Sequence, residues 1–70
     1  MEAKRGIENL RPREHEVLQL MVTGKDTFEI AEALKIEVGT VRAHRQAIYR
    51  TVGVRNLARL TLLWHKLCTP

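Results

Sequence analysis

The sequence predicts an all-α fold of four helices, and three observations lead to this fold class. Apolar residues recur at intervals of three and four residues through most of the chain, which is the period of an α-helix with one buried face. Short stretches that contain helix-capping or turn residues separate these periodic segments. The chain has 70 residues, too few for a second hydrophobic core. We therefore expect a single domain over residues 1–70, with residues 1–9 as a polar N-terminal arm or linker.

The first helix is expected at about residues 12–23. Pro12 stands where the first helical turn tolerates proline, and Glu14 lies near the positive end of the helix dipole. The apolar residues follow an i, i+1, i+4, i+5 pattern and are Val17, Leu18, Met21 and Val22. Gly24 suits the left-handed conformation that often ends a helix.

The second helix is expected at about residues 27–34, because Asp26-Thr27-Phe28-Glu29 is typical of a capping box. In this motif the Asp26 carboxylate accepts a backbone N–H, and the Glu29 carboxylate accepts the amide N–H of Asp26. The residues expected in the core are Ile30, Ala31 and Leu34. Phe28 lies at the edge of this apolar face, so we expect it to pack within the domain, whereas an exposed Phe28 would indicate a partner contact.

The third helix is expected at about residues 38–52, after a turn of about three residues. Its apolar residues stand at positions 41, 48 and 52, and Gly53 ends it. Asn56 can cap a fourth helix over about residues 57–67. The wide apolar face of this last helix comprises Leu57, Leu60, Leu63, Trp64 and Leu67. One edge of so wide a face can pack inward while the other edge contacts a second copy of the chain.

Composition and charge narrow the functional classes. Twelve Lys and Arg against eight Asp and Glu give a formal net charge of +4, which favours polyanionic partners. The apolar runs are too short to span a membrane, the N-terminus lacks the apolar stretch of a signal peptide, and one cysteine cannot form an internal disulfide. We therefore expect a cytoplasmic protein. Metal-ligand spacing, a nucleophile-and-base motif and a phosphate-cradling glycine loop are all missing, so we expect no enzymatic activity, no cofactor and no metal.

The second and third helices form the most informative part of the chain. Two short helices joined by about three residues, in a basic chain, are typical of a helix-turn-helix, whose second helix enters the major groove of DNA. On a helical wheel of about 100° per residue, the core residues of the third helix all face one way. The residues on the opposite side are Gly39, Ala43, Gln46 and Arg50, flanked by Arg42, Ala47 and Tyr49. None of these residues is acidic, although a solvated helix face that binds nothing remains the alternative.

This outward face carries side chains that major-groove recognition uses. Arginine pairs bidentately with guanine, glutamine pairs with adenine, and Ala43 is small enough to approach a thymine methyl group. Tyr49 and Arg50 are placed to contact phosphate. Arg45 points between core and solvent and His44 lies nearer the core, so we expect structural roles for both.

At these residues the chain closely resembles the LuxR-type (GerE-like) helix-turn-helix of bacterial transcription regulators, over roughly residues 10–54. The matching residues are Arg13-Glu14-x-Glu16-Val17-Leu18, Gly24, Glu29-Ile30-Ala31-x-x-Leu34-x-Ile36, Thr40-Val41-Arg42-x-His44-x-x-x-Ile48 and Gly53-Val54. The resemblance implies a four-helix domain that binds a specific double-stranded DNA sequence in transcription regulation, with its third helix in the major groove.

The resemblance also implies roles for individual residues. It places the base contacts on Arg42, Ala43 and Gln46, and the DNA backbone contacts on Thr27 and Thr40. It implies a homodimer on a two-fold operator through the last helix, whose candidate dimerisation residues are Leu60, Leu63, Trp64 and Leu67. RNA polymerase is a further candidate partner.

The chain departs from the family pattern at four positions. Arg11 and Glu37 stand where the family usually has Ser or Thr, so two helix caps lack their hydroxyl groups. Phe28 and Gln46 stand where family members often carry Lys, which weakens attraction to phosphate.

Two other interpretations of the sequence stay open. A sigma-factor region-four-like module also carries a helix-turn-helix and often has Gly-Thr-Val before a basic residue, as in residues 39–42. A stable dimer with symmetric operator protection would argue against that module. A helical protein-interaction module that no longer binds DNA would show no salt-dependent binding to duplexes.

Overall fold

The computed structural model describes residues 6–68, with side chains described from residue 6 to residue 66. Over that range the chain forms four α-helices, numbered here in chain order as α1, Pro12–Val22; α2, Thr27–Leu34; α3, Val38–Val52; and α4, Leu57–Cys68. A helical turn at residues 6–8 precedes α1, and the described range contains no β-strand. The predicted all-α class is confirmed, and the four predicted helices agree with the observed ones to within one residue. None of the helices in the described range is long and apolar enough to cross a membrane.

The helix N-termini differ in how they are capped. At α2 the capping box forms as predicted: Glu29 N–H donates to Asp26 Oδ1 at 2.8 Å, and Asp26 N–H donates to Glu29 Oε1 at 2.9 Å. At α1, Glu14 Oε1 accepts the Arg11 N–H at 3.1 Å, but the Arg11 side chain has no acceptor to offer in return. Glu37 makes no side-chain hydrogen bond to the first turn of α3. The predicted lack of hydroxyl caps at these two helices is therefore confirmed.

Left-handed residues end three of the helices. Gly24 and Gly53 have φ angles of 94° and 83°, as the sequence predicts, and the Gly53 N–H donates to the Tyr49 carbonyl at 2.8 Å. Lys35 takes the same role after α2 with φ 56°, a conformation that costs a residue with a Cβ about 1–2 kcal/mol. This reversal makes the turn between α2 and α3 tight.

The hydrophobic core lies around α3, which packs against both α1 and α2, while α4 packs against α1. The buried apolar residues are Ile7, Val17, Leu18, Met21, Ile30, Ala31, Val41, Ile48, Val52 and Leu60. Among the described residues, no polar or charged side chain is buried. Because Val41, Ile48 and Val52 anchor α3 along one stripe, its opposite face remains open to solvent.

The N-terminal segment contributes more to the core than the sequence indicates. Residues 6–7 are buried, although residues 1–9 are expected to be a polar arm or linker. Ile7 is only 8% exposed and belongs to the main hydrophobic cluster. Gly6 lies directly against the end of α3, where an added Cβ would be 2.7 Å from the Thr51 carbonyl oxygen. Residues 6 and 7 therefore belong to the packed domain and not to a polar arm.

Phe28 does not pack within the domain, so that prediction is wrong. Its side chain is 65% exposed. The buried residues of α2 are Ile30 and Ala31, and on a helical wheel Phe28 lies about 110° away from the midpoint between them. The short core stripe of α2 does not extend far enough around the helix to cover the phenyl ring.

Candidate nucleic-acid interface

The outward face of α3 is the candidate site, and its side chains are available to a partner. The three predicted base-contact residues, Arg42, Ala43 and Gln46, are all exposed on this face. Thr40 and Arg50, two of the predicted backbone contacts, are exposed as well. The buried stripe of α3 fixes which way this face points, because a rotation of the helix would pull Val41 and Ile48 out of the core.

The other two predicted backbone contacts, Thr27 and Tyr49, are half-buried. Tyr49 packs its ring against the hydrophobic core, and Thr27 is the first residue of α2. Both border a shallow open depression between α2 and α3, whose lining residues are Thr27, Arg42, Arg45, Gln46 and Tyr49. The fold thus brings these residues of α2 and α3 into one surface, with base-contact and backbone-contact candidates side by side.

Arg45 and Thr27 form a hydrogen bond that sequence reasoning missed. Arg45 Nη1 donates to Thr27 Oγ1 at 2.6 Å, across 18 positions of the chain, in a part-buried setting. The wheel places Arg45 between core and solvent, and the half-buried side chain agrees with that position. No sequence pattern points to Thr27 as its partner, since the pairing depends on how α2 and α3 pack.

The charges around this surface are unbalanced. Within the described residues the only ion pair joins Arg13 Nη1 to Glu16 Oε2 at 3.0 Å, and it lies on α1. The arginines of α3 therefore have no carboxylate partner within the described range. The Asp26 and Glu29 carboxylates are engaged in the capping box of α2, and Glu37 is exposed at the start of α3. Within the described residues, the arginines of α3 thus share their helix with an acid at its N-cap, Glu37, that forms no ion pair.

The predicted dimerisation residues on α4 occupy different environments. Leu60 is fully buried within a single chain, so it belongs to the monomer core and not to a surface that a second chain can reach. Leu63 and Trp64 are half-buried and pack against the core, and the side chain of Leu67 lies outside the described residues. Among the described side chains of α4, the large apolar residue that is exposed is Leu62, at 63%, which the sequence did not single out.

Trp64 makes a defined contact with α1. Its ring meets the ring of His15 edge-on, with the ring centroids 5.3 Å apart and the planes inclined by 64°. His15 Nδ1 is in turn within 3.2 Å of Gln19 Nε2. Trp64 is therefore part of the contact that holds α4 on α1, and only the remainder of its surface is free for a second chain.

Comparison with known proteins places these features in a family. The sequence model of GerE, described as bacterial regulatory proteins of the luxR family, matches residues 8–64. That match includes α1, α2, α3 and all but the last residues of α4. No solved structure matches the chain.

Several curated bacterial proteins are similar to the chain. The putative HTH-type transcriptional regulator YhjB of Escherichia coli is 33% identical over 57 residues, which are 81% of this chain and 28% of that protein. The tetrathionate response regulatory protein TtrR of Salmonella typhimurium is 35% identical over 63 residues, 90% of this chain and 31% of that protein. The transcriptional regulatory protein DesR of Bacillus subtilis is 47% identical over 47 residues, 67% of this chain and 24% of that protein. The chain thus spans between a quarter and a third of the length of these relatives.

Proposed function

The chain belongs to the luxR family of bacterial regulatory proteins, and on that premise we propose that α3 enters the major groove of a specific double-stranded DNA sequence. DNA binding in transcription regulation is the function that comes with the family. The proposal adds which residues make the contacts, how two copies sit on the DNA, and a non-catalytic role in the cytoplasm.

The observation that carries the proposal is the exposed, acid-free outward face of α3. Arg42 presents a guanidinium that can pair with guanine O6 and N7, and Gln46 presents an amide that can pair with adenine N6 and N7. Ala43 lies between them in the sequence and leaves room for a thymine methyl group. These are the side-chain types that distinguish base pairs in the major groove, on a helix whose rotation is fixed by its buried stripe.

Backbone contacts would position this helix in the groove. Thr40 and Arg50 are exposed near opposite ends of α3, where the two flanking phosphate strands run. Tyr49 can donate its hydroxyl proton to a phosphate oxygen. Thr27 accepts a hydrogen bond from Arg45 and keeps its own hydroxyl proton for the same purpose.

Two copies on a two-fold operator are part of the proposal. A monomer with few phosphate contacts binds weakly at physiological salt, and pairing multiplies those contacts. Half-sites one helical turn apart are about 34–36 Å from centre to centre. A domain with principal extents of 32 × 20 × 20 Å can occupy each of two such half-sites without overlapping its neighbour. The accessible parts of Leu63 and Trp64 would contribute to the contact, and RNA polymerase remains a further candidate partner.

Selection from random duplexes, followed by footprinting on the selected sequence, tests this function. Arg42→Ala and Gln46→Ala should each cost about 1–3 kcal/mol of binding free energy and relax the preference at one base pair. Arg13→Ala and Gln19→Ala are matched controls, because they make the same changes on exposed positions of α1. DNA reading by α3 would be refuted if the α3 variants and the α1 controls gave the same affinity and the same selected sequence.

An exposed aromatic side chain supports a second candidate function, a protein contact made by the same domain. Phe28 on α2 is 65% exposed, although contact between an apolar phenyl ring and water is unfavourable. If the domain were a protein-interaction module that no longer binds DNA, Phe28→Ala would abolish its partner binding, and no duplex would be enriched in the selection.

A further inference from the structure

The hydrogen bond between Arg45 and Thr27 lies at the edge of the proposed DNA surface. We propose that Arg45, held in place by Thr27, binds one phosphate of the DNA backbone in the depression between α2 and α3. This inference rests on the proposed DNA binding and adds to it a DNA contact by Arg45, for which the helical wheel predicts only a structural role.

Arg45 carries a positive charge that no described side chain neutralises. A guanidinium has five N–H donors, and the structure shows one of them used, by Thr27 Oγ1 at 2.6 Å. No carboxylate lies within ion-pair distance of Arg45 among the described residues. A half-buried cation that lacks a counter-charge is stabilised when an anion completes its hydrogen bonds. A DNA phosphate supplies both the negative charge and the acceptor oxygens.

Arg45 lies among side chains that can bind an anion. The depression opens to solvent, and every side chain that lines it can donate a hydrogen bond. Arg42 and Gln46, which are proposed to contact bases, border the same depression. A phosphate strand runs along each side of a helix that lies in the major groove. The carboxylate of Asp26, the residue before Thr27, accepts the Glu29 N–H in the capping box and forms no ion pair with Arg45.

The role of Thr27 is to position the guanidinium. A long arginine side chain loses rotamer freedom when it binds a ligand, and a residue that already fixes the side chain lowers that cost. Thr27 has a β-branched side chain with few rotamers, and its hydroxyl oxygen accepts a hydrogen bond from one nitrogen of the guanidinium group. The remaining donors stay available in a preset orientation.

A simpler role for the same bond is a tie between α2 and α3 that never contacts DNA. The two roles differ in salt dependence. A residue that neutralises one phosphate contributes about 0.9 to the slope of log affinity against log salt concentration, whereas a purely structural tie contributes nothing to it. Between about 50 and 200 mM salt, one such contact makes wild-type affinity fall about 3.5-fold further than that of a variant without it.

The experiment measures the affinity of the full chain for its selected duplex at several salt concentrations, together with thermal unfolding. For Arg45→Met we expect weaker binding and a slope smaller by about 0.9. For Arg45→Lys, which keeps the charge but loses the planar fork, we expect the wild-type slope with several-fold weaker binding. Thr27→Val should also keep the slope and weaken binding, and Thr27→Ser is the matched control that retains the hydroxyl group.

Each result bears on one of the two proposals. An unchanged slope for Arg45→Met, with a lowered unfolding temperature, would overturn the phosphate contact and leave the structural tie. If Arg45→Met does not fold, the same comparison uses Arg45→Gln, which keeps an N–H donor and lacks the charge. A wild-type chain that binds no duplex in a salt-dependent way would overturn the proposed function itself, before any variant is compared.

Discussion

A methyl group at Gly6 has no room in this fold, so we expect Gly6→Ala to destabilise the domain. An ideal Cβ there lies 2.7 Å from the Thr51 carbonyl oxygen and 2.8 Å from the Cα of Val52. Both atoms belong to the backbone of the last turn of α3 and cannot rotate aside. The turn at residues 6–8 must move away instead, which uncovers Ile7.

The size of the effect follows from what that movement exposes. Ile7 is only 8% exposed, and full burial of an isoleucine side chain contributes about 1.5–3 kcal/mol. We therefore expect the free energy of unfolding to fall by about 2 kcal/mol. In a domain of this length, each kcal/mol shifts the unfolding temperature by about 4–8 °C, so the expected loss is about 8–16 °C.

Thermal unfolding followed by circular dichroism, with urea denaturation for the free energy, measures this effect. Gly39→Ala is the matched control, because a Cβ at Gly39 meets nothing within 4 Å and alanine favours helix by up to about 1 kcal/mol. An unfolding free energy of Gly6→Ala equal to that of the wild type would refute the predicted clash, whatever the effect of Gly39→Ala. A large loss from Gly6→Ala would show that the folding unit begins before residue 8, where the family match starts.

Five other substitutions test separate features of the structure. Asp26→Ala removes the α2 cap and should lower the free energy of unfolding by about 0.5–2 kcal/mol. Glu37→Ser supplies the missing α3 cap and should raise it by up to about 1 kcal/mol. Equal effects of the two substitutions in urea denaturation would contradict the cap assignments. Leu60→Ala, at a buried position, should cost about 2–5 kcal/mol in the same assay, whereas Leu62→Ala, at an exposed one, should cost less than about 0.5 kcal/mol. Similar losses at the two positions would mean that α4 buries a different face. Phe28→Lys should leave stability unchanged and steepen the salt dependence of DNA binding by about 0.9; a destabilised variant would show that the phenyl ring is packed after all.

The helix bounds are predictable from sequence because local chemistry sets them. Pro12, the Asp26–Glu29 capping box and Gly53 each act within one turn of the chain, so they can be recognised without knowledge of the fold. The turn at residues 6–8 is not predictable in this way. Ile7 lies in a mostly polar stretch, and its burial comes from packing into the main hydrophobic cluster, while the neighbouring Gly6 lies against the distant end of α3.

The candidate site likewise has one part that is predictable from a single helix and one part that depends on how helices pack. The outward face of α3 follows from the period of one helix, and the exposed Arg42, Ala43 and Gln46 agree with it. The bond from Arg45 to Thr27 requires the packing of two helices, which no single-helix pattern contains. The wide apolar stripe of α4 has a similar ambiguity, because a wheel cannot separate a side chain buried in its own chain, such as Leu60, from one available to a second copy.

The edge-on contact between Trp64 and His15 gives the molecule its own optical probe. Trp64 is the sole tryptophan of the chain, and it lies where α4 docks on α1. Its emission should therefore shift and change in intensity when α4 detaches, because the indole ring then leaves the imidazole and enters water. Neither ring lines the depression that borders α3. A variant that loses DNA affinity with unchanged tryptophan emission has lost a contact with DNA. A variant that loses DNA affinity and also changes its tryptophan emission has lost the packing of α4 on α1.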